Sequence, residues 1–222
     1  MVTTVMVKMK LNFWGLAATP VLLSMGVFGR IHGWPGNWLW MAVTSAIALI
    51  WQFGLPAFRQ FWGKLARHSW LIIPGMMVMS LVLSFSAAGI GKVCHLLRFN
   101  ANPTGNILQT QGLWQNIITL LQVAGQIVGE EIFTAAIALP VIYLVSRRLS
   151  SRTSWWISCL VSALIFGGIH LTTYNWDLYQ CFVVIGLTRI PFNDAWRKTN
   201  SLWGGVIAHV LYDYLLLVKN LF

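Results

Sequence analysis

Long apolar runs recur along almost the whole chain, and they constrain its fold more than any other feature. Of the 222 residues, 57% are hydrophobic and 9% are charged, whereas a soluble domain carries about a quarter charged residues. A run of about 20 apolar residues suits a helix that crosses a bilayer. Seven such runs lie at roughly Leu11–Gly29, Asn37–Ala57, Trp70–Ile90, within Leu113–Ser146, Trp155–Leu171, Leu178–Ile190 and Ser201–Phe222. The sequence therefore predicts an all-α, polytopic transmembrane helix bundle of about seven spans.

The spacing of these runs leaves no room for a soluble domain. Residues 1–222 are expected to form a single membrane domain, with N-terminal spans in 1–112 and a functional core in 113–222. The fourth run would be roughly 50 Å long as a helix, well over the ~30 Å hydrocarbon core. We expect it to tilt, or to break near Gly125 or Gly129. Two polar stretches are predicted as loops, Asn100–Gly112 and Pro191–Asn200.

The basic residues of this chain lie in short stretches between the apolar runs, and the formal net charge is +10. Contact with anionic lipid and retention of loops in the cytoplasm account for that charge without a nucleic-acid partner. With a cytoplasmic N-terminus, eleven of the 15 Lys and Arg residues fall on the inner side, including Lys8 and Arg189. Arg30 and Lys219 are among the four on the outer side. We therefore expect a plasma-membrane protein whose N-terminus is cytoplasmic and whose surface contacts lipid.

A small set of ionisable residues lies inside the apolar runs. Three of the five acidic residues and two of the five histidines do so, namely Glu130, Glu131, Asp213, His170 and His209. A charged side chain at the bilayer centre costs about 2.5–3.5 kcal/mol on insertion scales. Such residues need each other or water as partners, and the default interpretation is a functional site. A single buried histidine or glutamate is more often a packing residue, so the interpretation depends on the whole set.

Helical spacing predicts how the two glutamates are used. Gln126, Glu130 and Thr134 are four residues apart, so they form a polar stripe on one helix. Glu131 is rotated from Glu130 by about 100° on a helix. We therefore expect one glutamate to face the site and the other to contact a neighbouring helix or a supporting partner. Gly125 and Gly129 precede the pair and would let another helix approach closely.

The histidines also lie on helical stripes. Phe166 and His170 share a stripe on the fifth run, and Gly205, His209 and Asp213 share one on the seventh. This spacing places Asp213 to accept a proton from one imidazole nitrogen of His209. The acceptor would then fix which nitrogen faces the site.

Three motifs therefore follow one another on successive apolar runs: Glu130-Glu131, Phe166-x-x-x-His170 and His209-x-x-x-Asp213. This arrangement resembles the CAAX-protease and bacteriocin-processing family, also called the Abi family, whose motifs are EExxxR, FxxxH and HxxxN or HxxxD. The resemblance covers roughly residues 115–218. Two positions depart from the family pattern. Ala135 stands in place of the motif arginine, and Val183 stands where a Phe usually precedes the glycine at Gly186.

The resemblance implies hydrolysis of a peptide bond within the membrane, without an obligatory metal or other cofactor. It implies that Glu130 is the general base and that Glu131 supports it. His170 would share the attacking water or donate to the scissile carbonyl, and His209, oriented by Asp213, would stabilise the oxyanion. Eukaryotic members cut prenylated CAAX proteins. This short chain looks more like a bacterial member, for which a membrane-associated peptide or protein substrate and a role in peptide maturation or bacteriocin self-immunity are typical.

Three alternatives remain open at this point. Two histidines and a glutamate could bind zinc with one open position. A non-catalytic immunity or partner-binding protein on the same fold is favoured by Ala135. A proton-coupled transporter could use the same residues as a relay, although the chain has no internal repeat of the kind many transporters show.

Overall fold

The computed structural model describes residues 9–218, so Lys8 and Lys219 lie outside the described residues. All regular elements in this part of the chain are helical, which confirms the all-α prediction. The α-helices are α1 Phe13–Ile31, α2 Asn37–Phe53, α3 Leu55–Phe61, α4 Ser69–Val93, α5 Pro103–Thr110, α6 Leu113–Val145, α7 Ser151–Gly168, α8 Gly186–Thr199 and α9 Leu202–Val218. A π-helical segment, Tyr179–Ile185, leads directly into α8.

Three helices, α1, α4 and α6, are long and apolar enough to cross a membrane. A fourth span results if α2 and α3, which meet at 118°, are counted as one broken span. Helices also cover the remaining predicted runs, but α9 is shorter than a full span. The structure therefore supports a helical membrane protein with three to four spans, and the count of seven stays a prediction.

The exterior of the bundle is rich in large apolar side chains. Trp14 on α1 and Trp70, Val82 and Phe85 on α4 are each more than half exposed. An apolar surface of this extent would mark an interaction site on a soluble protein. Such a surface is typical of helices that span a membrane.

Helix α6 is the centre of the structure, because α2, α7 and α9 all pack against it. It is one continuous helix of 33 residues whose second half is buried, so of the two alternatives that we predicted, a tilt or a break near its glycines, the break does not occur. Both glycines are instead contact points for α2. A Cβ atom on Gly129 would lie 2.8 Å from the backbone nitrogen of Ala42, and one on Gly125 would lie 2.5 Å from Trp38. The absence of side chains here lets the two helices pack closely.

The first predicted loop, Asn100–Gly112, contains the short helix α5. Asn102 caps this helix by accepting a hydrogen bond from the backbone N–H of Thr104 at 3.0 Å. Pro103 occupies the first helical position, where its missing N–H has no cost. The polar residues of this stretch therefore begin a helix instead of forming an irregular loop.

The second predicted loop, Pro191–Asn200, is also wrong, because α8 continues through it to Thr199. Asp194 forms ion pairs along the helix with Arg197 at 2.5 Å and with Lys198 at 2.9 Å. These pairs have the spacing that stabilises a helix surface. Asn200, with a φ of 62°, then ends the helix in the left-handed conformation.

Candidate active site

A fully enclosed ion pair connects α6 to α8. Arg189 donates from Nη1 to Oε1 of Glu131 and from Nη2 to Oε2, each at 2.5 Å. Neither side chain is exposed. Trp196 adds a third donor, with its indole Nε1 at 2.7 Å from Oε2. A bidentate guanidinium–carboxylate pair of this kind is strong and geometrically specific, so the Glu131 carboxylate is fixed in one orientation.

The Glu131 carboxylate in turn orients His209. The Nδ1 atom of His209 lies 2.8 Å from Oε1 of Glu131. Since the carboxylate that Arg189 pairs with is an acceptor, Nδ1 carries the hydrogen and Nε2 faces the rest of the site. We expected Asp213 to accept this bond, but its Oδ1 lies 3.8 Å from Nε2, which is too far for a hydrogen bond. Glu131 therefore takes the orienting role that the sequence suggested for Asp213.

Glu130 points in a different direction from Glu131, as the helical spacing predicted. Its Oε1 accepts from Arg30 Nη1 at 2.9 Å and from Gln126 Nε2 at 3.0 Å. Thr134 donates to the Glu130 backbone carbonyl at 2.8 Å, which confirms the polar stripe. The second oxygen, Oε2, lies 3.9 Å from Nε2 of His209. One oxygen of Glu130 is thus occupied by donors and the other faces the histidine.

His170 lies in the turn that follows α7, just beyond the last helical residue, Gly168. Its Nδ1 lies 2.7 Å from the backbone carbonyl of Phe166. A carbonyl only accepts, so Nδ1 carries the hydrogen and Nε2 is the free nitrogen. The Phe166 ring lies between the two histidines, with its centroid 4.7 Å from that of His170 and 6.1 Å from that of His209.

The structure thus brings three of the other four predicted residues to His209. The carboxylates of Glu130, Glu131 and Asp213 each have an oxygen within 4 Å of that imidazole. His170 is linked to the group through Phe166 and is close enough to Glu130 for a charge interaction. Polar groups held this closely inside an apolar bundle form a candidate active site.

Comparison with known proteins connects this site to a family. Residues 112–215 match the family model described as type II CAAX prenyl endopeptidase Rce1-like. The match covers just under half of the 222 residues, and this segment of the chain is similar to that family. No curated protein and no solved structure matches the chain.

The Rce1-like segment begins at the residue before α6 and ends within α9. It contains all five residues that the sequence singled out, in a family of proteases. Helices α1, α2 and α4 lie outside it. Arg30 at the end of α1 contacts Glu130 nevertheless, so the N-terminal half contributes a side chain to the site.

Arg189 supplies the positive charge beside Glu131 that Ala135, at the position of the motif arginine, cannot supply. Ala135 is buried one turn after Glu131 on α6 and has no polar side chain to offer. The guanidinium that neutralises Glu131 comes instead from α8, 58 residues further along the chain. Asn193 accepts a hydrogen bond from Arg189 Nε at 3.0 Å and donates to Ser162 at 3.0 Å. The departure from the motif therefore leaves no unpaired carboxylate at this position.

Neither site arginine was predicted from the sequence, because Arg189 and Arg30 were counted as loop charges that set topology. A signal for Arg189 was present, since it lies inside the sixth apolar run, where a charge needs a partner just as a carboxylate does. Trp196 carried no comparable signal. Its bond to Glu131 depends on the helix that replaces the predicted loop.

Gly205 gives the ion pair its space. A Cβ atom at this position would lie 2.5 Å from Oε2 of Glu131 and even closer to the indole nitrogen of Trp196. The helical stripe of Gly205, His209 and Asp213 thus serves two purposes. Gly205 leaves space for the Glu131 carboxylate, and His209 donates a hydrogen bond to it.

Tyr174 borders the site on the side of His170. The two rings stack with their centroids 6.2 Å apart and their planes at 25°. Burial, followed by the negative charges of Asp213 and Glu130, raises the pKa of the Tyr174 hydroxyl. Its hydroxyl therefore stays protonated at neutral pH.

Asn175 and Trp176 both have left-handed backbone conformations, with φ of 50° and 59°. Non-glycine residues rarely adopt such angles, and they are enriched near functional sites. These two residues directly follow the turn in which the Tyr174 N–H donates to the His170 carbonyl at 3.1 Å.

Within residues 9–218 there is no group of three or more His, Cys, Asp or Glu side chains arranged to hold a metal ion. The zinc alternative consequently stays a prediction to be tested by metal analysis.

An apolar groove of about 600 Å³ runs between α1, α6 and α7. Its wall includes Val27 and Ile31 on α1, Phe133 on α6 and Ile169 just after the end of α7. Phe133 lies almost one turn from Glu130, and Ile169 adjoins His170. Two wall residues of the groove are thus close in sequence to candidate site residues.

Proposed function

We propose that this chain is an intramembrane endopeptidase in which Glu130 is the general base. The observation that supports this most directly is the separation of 3.9 Å between Glu130 Oε2 and His209 Nε2. Both side chains are fixed from behind, Glu130 by Arg30 and Gln126 and His209 by Glu131. A water molecule can bridge two polar atoms at such a separation. The nucleophile of a hydrolysis would then be held between a base and a potential donor.

In the proposed reaction, Glu130 Oε2 removes a proton from this water as its oxygen attacks the scissile carbonyl carbon. A carbon–oxygen bond forms, and the carbonyl becomes a tetrahedral oxyanion. Collapse of the intermediate breaks the carbon–nitrogen bond, and Glu130 delivers the proton to the leaving amine. The free Nε2 of His170 would hold the attacking water by accepting its second hydrogen.

His209 has the complementary task of stabilising the oxyanion. To donate to it, Nε2 must carry a hydrogen in addition to the one on Nδ1, so the ring must be an imidazolium. The Glu131 carboxylate at 2.8 Å is its counter-ion. Preorganised donors of this kind commonly contribute about 10²–10³ to kcat. Glu131 is thus a positioning residue, supported by Arg189 and Trp196.

The substrate is proposed to be a membrane-associated peptide or protein whose apolar part occupies the groove between α1, α6 and α7. The groove is lined mostly by aliphatic and aromatic side chains, and its wall residues Phe133 and Ile169 lie three residues and one residue along the chain from Glu130 and His170. Moving a lipidated or apolar segment from the bilayer into this groove would cost little free energy, because both surroundings are apolar. The family name points to prenylated CAAX proteins as one substrate class, and peptide maturation or self-immunity in a bacterial plasma membrane is the other role that we propose.

The proposed topology has seven spans and a cytoplasmic N-terminus. It is supported by the bias of Lys and Arg toward one set of loops. Removing the buried Arg189 from the count leaves that bias intact, at ten inner residues against four outer residues. Reporter fusions in each loop would measure it, and fusions that report the opposite side would reverse the assignment.

The decisive experiment reconstitutes the purified protein in lipid vesicles with two fluorogenic probes. One is a prenylated CAAX peptide and the other is an unprenylated apolar peptide. We expect cleavage by the wild type and a loss of about 10²-fold or more in kcat for Glu130→Gln, His170→Ala and His209→Ala. Full activity in all three variants would reject the proposal. Metal analysis and cleavage in the presence of a chelator test the zinc alternative. A chelator that removes bound zinc and abolishes activity would support zinc.

A non-catalytic immunity or partner-binding role is the second candidate. It is favoured by the two donors on Oε1 of Glu130, which a purely structural carboxylate would also have. In that case Glu130→Gln should retain immunity in cells, while substitutions in exposed loops should abolish it. An endopeptidase requires the reverse pattern.

A further inference from the structure

Arg30 is the only described cation outside the Rce1-like segment that contacts the site. It lies in the last turn of α1, and its Nη1 donates to Glu130 Oε1 at 2.9 Å. Its side chain is 25% exposed, whereas that of Glu130 is 4% exposed. The pair thus lies at the edge of the site nearest α1, where the side chain of Arg30 is partly exposed.

Close packing of three helices brings Arg30 to this position. A Cβ atom on Gly26 of α1 would lie 3.1 Å from Cα of Met41, and one on Gly129 of α6 would lie 3.2 Å from Cβ of Met41. Met41 of α2 is therefore held between two glycines, and α1 comes near α6 across it. Arg30 also contacts the Met41 sulfur at 3.8 Å. The same nitrogen, Nη1, thus contacts both Met41 and Glu130.

The contact leaves the two oxygens of Glu130 in different states. Arg30 and Gln126 donate to Oε1, so this oxygen is engaged. Oε2 is the one that faces Nε2 of His209 at 3.9 Å. A carboxylate held by two donors on one oxygen cannot rotate about its terminal bond without breaking both bonds. The Arg30 contact consequently fixes which oxygen can take a proton from water.

We propose that Arg30 is a positioning residue that holds Glu130 in the orientation required for hydrolysis, so that the first helix completes the site of the family segment. This inference rests on the endopeptidase function proposed above. Arg30 acts through Glu130 and need not touch the substrate. Loss of the guanidinium should therefore lower kcat and leave KM nearly unchanged.

The test compares Arg30→Met, Arg30→Lys and Arg30→Ala in vesicles with the prenylated and apolar fluorogenic peptides. Arg147→Met is the matched control, because Arg147 is exposed and bonds Tyr143 away from the site. We expect Arg30→Met to lower kcat about 10–100-fold with KM within about threefold. Arg30→Lys should retain more activity than Arg30→Met, and millimolar guanidinium should restore part of the activity of Arg30→Ala. A purely structural role would not respond to added guanidinium.

Wild-type kcat in Arg30→Met, a rise in kcat, or a loss confined to KM would each overturn the inference while leaving the endopeptidase proposal intact. An inactive wild type would instead reject the endopeptidase. In that event thermal unfolding of Arg30→Met, Glu130→Gln and the double variant still decides whether Arg30 holds Glu130. Additive shifts in the unfolding midpoint would overturn the contact, and a double variant that shifts less than the two single shifts combined would support it.

Discussion

Arg189 and Glu131 meet through two parallel hydrogen bonds of 2.5 Å, with neither side chain exposed. This pair joins α8 to the central helix α6 and orients His209. It depends on a residue that no family motif marks, in a protein whose motif arginine is replaced by Ala135. Most of the behaviour that we predict for the site follows from it.

Removal of the guanidinium should destabilise the whole protein. Arg189→Met leaves Glu131 buried without its partner, and breaking one side of such a pair typically costs about 3–5 kcal/mol. We expect a clear fall in the thermal unfolding midpoint in detergent and a poor yield of folded protein. Arg152→Met, which changes an exposed arginine on α7, is the control and should unfold like the wild type. An Arg189→Met protein with the wild-type midpoint would contradict the role of the pair.

The charge should be transferable to the position that the family motif uses. Position 135 lies one helical turn after Glu131, within reach of an i,i+4 contact. Ala135→Arg should therefore raise the kcat of Arg189→Ala by about tenfold, a change of roughly 1.4 kcal/mol in the barrier. The same substitution in the wild type should be harmful, because the space is already filled. A double variant no better than Arg189→Ala would show that α8 must supply the guanidinium.

Gly205 should tolerate no side chain. Its Cβ would lie 2.5 Å from Oε2 of Glu131, so Gly205→Ala should displace the carboxylate and cost about 1–3 kcal/mol of stability, as overpacking does. Activity should fall with it. Gly89→Ala on α4 is the matched control, since a Cβ there meets nothing within 4 Å. Unfolding midpoints and kcat measure both effects, and equal behaviour of the two variants would refute the steric argument.

The two carboxylates near His209 should differ in importance. Glu131 hydrogen-bonds Nδ1 at 2.8 Å, whereas Asp213 lies 3.8 Å from Nε2. Glu131→Gln should lower kcat about 10²–10³-fold through loss of the imidazolium's counter-ion, and Asp213→Asn should cost about tenfold or less. Circular dichroism would establish that both variants are folded. A larger loss for Asp213→Asn would return the orienting role to that residue.

The apolar periodicity of the chain was enough to predict an all-α membrane protein, because burying polar backbone groups in lipid requires helices. Placing each polar residue on a helical stripe also predicted correctly that Gln126 and Thr134 accompany Glu130 and that Glu131 turns away. These contacts lie within one helix, where spacing along the sequence fixes direction. The same reasoning failed for Pro191–Asn200, whose polar residues pair along α8 and between helices, not with solvent.

The sequence by itself determined which residues needed buried partners, since a carboxylate or imidazole in an apolar run cannot remain unpaired at low cost. Only the tertiary structure decided which residues those partners are. Arg30 and Arg189 lie 100 and 58 residues from the glutamates that they contact, and nothing local to either arginine specifies the pairing. It results from the close approach of α1, α2 and α6 at Gly26 and Gly129, and of α9 at Gly205. Packing between helices, which spacing along one chain segment does not encode, assembled the site.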